Sequence, residues 1–388
     1  GPEFMTDHIR TLAKISPFRV ACIPNAGLPD EDGIYLETPK MMGKILKHFM
    51  DQGWINFIGG CCGTTHEHIR EFAQIAKNQK PRICSELTKS VLSGIDYLEI
   101  TDEMRPVLVG ERTNIIGSKK FKTLIEEEKF EEAAEMARVQ AKNGAQIIDI
   151  CLSNPDRNEL ADLKKFMHYG VKVIRAPIMI DSTDENVIAE ALTWCQGKAI
   201  INSVNLEDGE DRFEKVIPLA RRFGAALVVG TIDEDPQQGM AITRQRKIEI
   251  AERSFDLLTK KYGMHPTDLY FDALVFPCAS GDVNYLGSAV ETIEGIRLIK
   301  EKFPMCKTVL GISNVSFGLP MAAREVLNSV FLYHCVNAGL DLAIVNSEKL
   351  VRYNSLTPEE LEKATNLLFN VGEDPIGKFA ALFRDKKA

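Results

Sequence analysis

Eight short β-rich runs of this chain end in side chains that accept or share hydrogen bonds. The run 106–109 leads into Gly110-Glu111-Arg112-Thr113-Asn114, and the run 146–150 carries Asp149 at its end. The run 177–180 leads into Asp181-Ser182-Thr183 and 199–201 into Asn202-Ser203. Thr231 follows 226–230, with Asp233 and Glu234 just beyond. Asp272 closes 269–271, Ser313-Asn314 closes 307–312, and Asn346-Ser347 closes 342–345. Helix capping explains any one of these, because Asp, Asn and Ser are favoured where a strand turns into a helix. Taken together, with Asp and Asn prevailing, they describe a pocket lined by carboxylates and amides. Such a lining suits a flat, nitrogen-rich ring. A carboxylate takes a paired hydrogen bond from an aminopyrimidinone edge, and an Asn amide both donates and accepts.

Other chemistries are not signalled. No strand-end Lys offers a Schiff base, no His cluster has metal-ligand spacing, and no Ser or Cys has a His partner at an adjacent strand end. A second motif stands apart. Gly59-Gly60-Cys61-Cys62-Gly63-Thr64-Thr65 follows a short strand. Adjacent cysteines seldom bridge each other, whereas two thiolates on one loop supply half of a tetrahedral zinc site. Cys22 reads as a buried strand cysteine, and His66 and His68 as solvated residues of the following helix.

The elements that must position these residues are strand–helix units. In residues 19–79, Arg19–Ile23 and Ile55–Ile58 are strands. Thr38-Pro39 opens a helix whose apolar face carries Met42, Ile45, Leu46 and Phe49, and His66–Lys77 is the next helix, capped by Thr64 or Thr65. Residues 81–104 have weak periodicity and read as a linker. From residue 105, amphipathic stretches at 128–143, 184–194, 245–262 and 285–302 alternate with the β-rich runs. Roughly eight βα units in about 250 residues is the arithmetic of an α/β (β/α)8 TIM barrel over 105–360. A doubly wound sheet is disfavoured, since no Gly-x-Gly-x-x-Gly follows the first strand.

Composition excludes several classes. The 388 residues are 45% hydrophobic and 26% charged, with 47 Lys and Arg against 55 Asp and Glu, a net charge of -8. No basic block marks a nucleic-acid partner, no run approaches a membrane span, and the first residues show no secretory pattern. The odd, scattered set of 9 Cys fits reduced thiols and a cytoplasmic location.

The motifs carry a family resemblance. GERTNIIGS (110–118), MIDST (179–183), INSVN (201–205), FDALVF (271–276) and GISNVSFGLP (311–320) resemble the pterin-binding domain of the cobalamin-dependent methionine synthase family, within the wider group of methyltetrahydrofolate:corrinoid protein methyltransferases. PNAGLP (24–29) and GGCCGTTHEHI (59–69) resemble the end of that family's zinc-dependent, homocysteine-binding barrel. The resemblance implies that residues 1–80 are the last two βα units of a truncated second barrel, and that 361–388 is a helical extension toward a cobalamin-binding domain. Gly1-Pro2-Glu3-Phe4 reads either as a cloning scar or as a cut edge just after the family's third zinc cysteine. On this reading Cys61 and Cys62 are metal ligands of a zinc site left incomplete.

The resemblance also implies roles. Asp181, Asn202 and Asp272 would hydrogen-bond the pterin ring of 5-methyltetrahydrofolate, and Asn314 would sit near N5, the nitrogen that carries the methyl group. Glu111, Asn114 and Asp149 would line the same pocket. Asn314 and Asp181 are the catalytic candidates, and the acceptor would be cob(I)alamin on a separate domain. One departure is visible. Asp149 is followed by Ile150-Cys151-Leu152-Ser153-Asn154-Pro155, so a contact that relatives make with a nearer Asn falls to Asn154. A methyltransferase serving another corrinoid protein, a dihydropteroate synthase and a folate-binding fragment without activity are the competing readings. The second would need Lys and Arg at late strand ends, which are missing.

Overall fold

Short apolar runs alternate with amphipathic helices in both units into which the chain divides, Gly1–Thr88 and Lys89–Ala388. The computed structural model describes residues 1–383, so the end of the predicted C-terminal extension lies outside the described residues.

In the first unit, α1 (Thr6–Ile15) precedes β1 (Ala21–Cys22), α2 (Pro39–Asp51), β2 (Phe57–Ile58) and α3 (His66–Ala76). Thr38 caps α2 by accepting from the Met41 N–H, and Pro39 takes the first turn. The strands β1 and β2 pair in parallel, Cys22 opposite Ile58. Cys22, Met42, Leu46, Phe49, Ile55 and Phe72 are buried together against them. The region read as a linker is more ordered than its periodicity suggests. Arg82 is buried, and its guanidinium donates to the carbonyls of Ala13, Ser16 and Phe18, closing the first unit.

The second unit begins with an antiparallel hairpin, β3 (Val91–Ser93) and β4 (Tyr97–Glu99). Three-residue strands are too short to show alternation, which is why the sequence pattern missed them. Eight parallel strands follow, with helices between them: β5 (Val107–Asn114), α4 (Lys119–Glu126), α5 (Phe130–Lys142), β6 (Ile147–Cys151), α6 (Glu159–Val173), β7 (Ile178–Asp181), α7 (Glu185–Trp194), β8 (Ile200–Leu206), α8 (Asp211–Phe223), β9 (Ala226–Asp233), α9 (Arg244–Asp256), β10 (Leu269–Asp272), α10 (Ser288–Lys302), β11 (Lys307–Gly311), α11 (Met321–Ala338) and β12 (Leu342–Val345). The strands close into a barrel in which β12 pairs with β5, as the count of βα units predicted. Two further helices, α12 (Pro358–Leu368) and α13 (Pro375–Ala381), follow it.

Two apolar layers hold this unit. One lies between strands and helices and includes Phe121, Phe166, Phe213, Phe271 and Phe331. The other fills the barrel interior with Val107, Val109, Ile147, Met179, Ile200, Val228, Tyr270, Val309 and Leu342. Leu92 and Ile100 of the hairpin region join it, so the hairpin stoppers the N-terminal end of the barrel. At the same end Asp341 is fully buried, and it accepts from Arg105 Nε (2.9 Å), Lys300 Nζ (2.9 Å) and the Thr308 N–H (2.9 Å). With that end packed, polar side chains gather at the opposite one. Among the described residues no helix is long and apolar enough to cross a membrane.

Candidate functional site

Strand β5 is longer than its sequence run, and its last residues bend. The register against β6 shifts between Gly110 and Thr113. Gln140 on α5 holds the bend: its Oε1 accepts from the Arg112 N–H (2.6 Å), and its Nε2 donates to Thr113 Oγ1 (3.1 Å). Thr113 Oγ1 in turn donates to the Asp149 carbonyl (2.5 Å). This aims Asn114 across two strand ends. Its Nδ2 donates to Asp149 Oδ2 (3.0 Å) and to Asp181 Oδ2 (2.9 Å), while its Oδ1 accepts from the Ile116 N–H (3.0 Å). Glu111 reaches the other way and accepts from Ser313 Oγ (3.3 Å).

This cluster is electrostatically loaded. Asp149 is buried, and its Oδ1 has no hydrogen-bond partner among the described residues. Burial, then the neighbouring Asp181 carboxylate, pushes Asp149 well above the usual carboxylate range. Burial pushes Asp181 up to about 6 against the opposing Asn114 hydrogen bond, and burial also raises Glu111. Two buried carboxyls facing one amide are therefore each harder to ionise than a free carboxyl. Stability follows with a definite sign. A carboxyl raised on folding favours the native state at low pH, and that contribution is lost as pH rises from the ordinary carboxylate range through about 6. Asp181→Asn is accordingly expected to stabilise the protein by about 1–2 kcal/mol at pH 7.5 and by nothing at pH 4. Urea unfolding at the two pH values measures this, and an equal gain at both would place the cause elsewhere.

Next to Asp181, its register partner Asn202 begins the second half of the ring. Asn202, Asp272 and Asn314 line one pocket of about 500 Å³ with Met240, Leu274, Phe276, Tyr285, Gly311, Phe317 and Ile344. Phe276 and Tyr285 stack at 5.2 Å. Gly311 leaves room for Asn314, whose Nδ2 would lie 3.4 Å from a Cβ placed there. Asp272 Oδ1 accepts from the Leu274 N–H (2.8 Å), with Leu274 held at φ 59. A left-handed conformation is costly for leucine, and strain of this kind concentrates at binding sites. Burial raises Asp272 to about 6, opposed by the Leu274 N–H and by Lys247. A larger concavity of about 910 Å³ lies on the outer flank and is lined by Arg112, Lys129, Glu131, Glu135 and Lys172. It holds none of the pocket residues.

Several placements differ from expectation. Asn154 is buried and its Oδ1 accepts from the Asp156 N–H (3.1 Å), so its side chain shapes its own loop. Asp233 is the last residue of β9 and pairs with Arg246 (2.6 Å). Two cations escaped the sequence reading. Arg212 of α8 donates to the carbonyls of Ser182 (2.8 Å), Thr183 (2.6 Å) and Ser203 (3.2 Å), bracing the loop after β7 against β8. Lys247 of α9 is fully buried behind Phe276. The signal for Lys247 was its place on the buried stripe with Ile250, Ala251 and Ser254.

In the first unit, Cys61 and Cys62 follow β2 and are exposed, with their Sγ atoms 3.8 Å apart. Zinc–thiolate bonds of about 2.3 Å give a tetrahedral S···S edge of about 3.8 Å, so the pair fits one edge of a zinc site. The loop is tightly set. The Cys61 N–H donates to the Pro24 carbonyl (2.9 Å), and Gly63, at φ 78, leaves no space for a Cβ against the Tyr35 ring. Among the described residues no group of three or more His, Cys, Asp or Glu is placed to hold a metal. Cys22 is buried, and burial pushes its thiol up to about 11. His68 is not solvated as expected. It is buried, bonded through Nδ1 to the Thr65 N–H (3.1 Å) and through Nε2 to the Glu37 carbonyl (2.9 Å), which spends it on capping α3.

Comparison with known proteins agrees with these features. Residues 110–346 match the family described as Pterin binding enzyme, and residues 1–76 match Homocysteine S-methyltransferase. The methionine synthase of Mycobacterium leprae (strain TN) is 37% identical over 399 residues, covering 99% of this chain and 33% of the relative. The methionine synthase of Mycobacterium tuberculosis (strain ATCC 25618 / H37Rv) is 37% identical over 398 residues, covering 100% of this chain and 33% of its own length. The chain thus spans about a third of the length of these curated relatives. Among solved structures, the dihydropteroate synthase of Xanthomonas albilineans in complex with indole-2-carboxylic acid and 6-chloroguanine is similar with a TM-score of 0.48 and 18% identity. That match covers 67% of this chain and 92% of the other.

Proposed function

This chain belongs to the Pterin binding enzyme family, and from that premise we propose that its barrel binds 5-methyltetrahydrofolate and presents the N5 methyl group for transfer to cob(I)alamin. The transfer would serve the methylation of homocysteine to methionine. The observation that carries the reading is the convergence of Asn202 of β8, Asp272 at the end of β10 and Asn314 just after β11 on one pocket. Likeness to two methionine synthases supports the methyl-transfer part.

Cobalamin, bound to a separate domain, would supply the nucleophile. The residues of this chain then have three tasks. Asp272 and Asn202 bind the aminopyrimidinone edge, and the Phe276–Tyr285 stack forms an apolar wall. Asn314 donates its amide to N5. A tertiary amine leaves only when N5 gains a proton or a strong hydrogen bond, and an amide supplies the second but not the first. The proton would reach N5 through water or the Asp-lined network, which includes the Asp149–Asn114–Asp181 cluster, where burial raises both carboxyls. The methyl must stay open to in-line attack. The barrel mouth suits this, because Ile116, Met240, Val283 and Phe317 stand exposed on its loops and offer a partner domain an apolar rim.

In the first unit Cys61 and Cys62 would give zinc two thiolates. The described residues bring no third ligand to them, so no step is assigned to zinc here.

Single-turnover transfer to free cob(I)alamin tests the reading. Wild-type protein should transfer the methyl group, and Asn314→Ala should slow transfer about tenfold while binding folate nearly as well, because the lost hydrogen bond forms mainly as the C–N bond breaks. Folate binding without transfer in the wild type would favour a binding fragment. Absence of binding would sink the proposal.

A further inference from the structure

Lys247 is a basic side chain in a place where charges are rarely tolerated. Its side chain is fully buried on α9 and packs against Gly295 of α10, where an added Cβ would lie 2.7 Å from Lys247 Cδ. Its Nζ donates to the carbonyls of Ala241 (2.7 Å) and Ala273 (2.5 Å), and it lies 5.2 Å from the centroid of the Phe276 ring. Two carbonyls and an aromatic face engage its three donors, which is how a buried ammonium is retained. Both attachments belong to the pocket. Ala273 is the residue after Asp272, and Ala241 follows Met240; Phe276, Asp272 and Met240 all line the pocket.

Resting on the folate reading above, we infer that Lys247 is a positioning residue that fixes the Asp272 segment and keeps the Asp272 carboxylate ionised for the N–H edge of a bound pterin. The electrostatics agree in sign. Burial pushes Lys247 down to about 7, while Asp272 and Glu291 oppose that fall. Lys247 in turn counters the rise that burial imposes on Asp272. The other charges facing the pair are already committed. Glu291 of α10 pairs with Arg244 (2.7 Å), and Asp233 of β9 pairs with Arg246 (2.6 Å). Strand β11 carries its one charge, Lys307, at the far end beside Asp341. Among the described residues, Lys247 is therefore the basic group that opposes the rise at Asp272.

Removing the charge should make Asp272 harder to ionise and leave other carboxyls unmoved. The Asp272 carboxyl is followed by carbon-13 NMR in ligand-free wild-type protein, Lys247→Met and Lys247→Gln; the Gln variant keeps N–H donors if the Met variant does not fold. The titration midpoint is expected to rise by about one pH unit in either variant, since one unit equals a tenfold change in proton affinity. Calorimetric titration with 5-methyltetrahydrofolate over pH 6–9 should then show binding about fivefold weaker at pH 6, about twofold weaker at pH 7 and nearly restored at pH 9. The variant-to-wild-type ratio cancels any titration of the ligand. In an Asp272→Asn background the same substitutions should produce no pH-dependent difference. An unchanged Asp272 midpoint, or a loss of affinity equal at every pH, overturns the inference while leaving the folate site intact. Wild-type protein that binds no folate overturns the site reading itself, and the NMR midpoint still judges the link between Lys247 and Asp272.

Discussion

Asp272→Ala is expected to weaken 5-methyltetrahydrofolate binding by about 1–3 kcal/mol, roughly 5- to 150-fold, because it leaves buried ring N–H donors unpaired. The size of the effect follows from where the carboxylate sits. It ends β10 at the pocket wall, with one oxygen committed to the Leu274 N–H and the pocket beside it. Truncation deletes the acceptor and also releases a leucine held in a left-handed conformation, so the loop is free to relax away from the ligand. Asp272→Asn separates the two effects. It can keep the Leu274 contact but loses charge, and should fall between wild type and alanine. Calorimetric titration at pH 7.5 measures both variants, and wild-type affinity in the alanine protein would remove Asp272 from the site.

The second large effect lies at the opposite end of the barrel. Asp341→Ala is expected to cost about 3–5 kcal/mol of stability, the usual penalty for breaking a buried ion pair by removing one partner. Asp341 is fully buried, and its carboxylate accepts from Arg105, Lys300 and the Thr308 N–H. Without it, two cations and a backbone donor lose their acceptor in a packed region. Thermal unfolding should drop by roughly 6–15 °C. A shift within about 2 °C would mean that water replaces the carboxylate at little cost.

The barrel was legible because its signal repeats. Eight apolar runs, each followed by a polar strand end and most by an amphipathic helix, leave few other closures, and the strands fall within a few residues of the runs. The polar residues proposed for the site stand out for a related reason: Asp149, Asp181, Asn202, Asp272 and Asn314 lie at or just past the ends of the apolar runs in five of the eight units. What escaped was non-periodic. The β3–β4 hairpin is too short to alternate. Gln140, Arg212 and Lys247 lie on helices, where a polar residue reads as solvated unless its position on the apolar stripe is weighed. His68 misled in the same way, because its Nε2 is held by the carbonyl of Glu37, 31 residues away. Asn154 looked available because spacing alone does not show that a loop has already used its amide.

The contact between Arg105 and Asp341 joins residues 236 apart in the chain, and it lies beside the seam where β12 meets β5. On a ribosome adding about 5–20 residues per second, the first barrel strand waits about 10–50 s for the partner that completes it. During that interval β5 offers an unpaired edge rich in valine and leucine, the kind of edge that recruits other chains. The seam therefore sets a timing problem for synthesis as well as a geometry for binding. The slower the chain is made, the longer that first strand stays without its last partner.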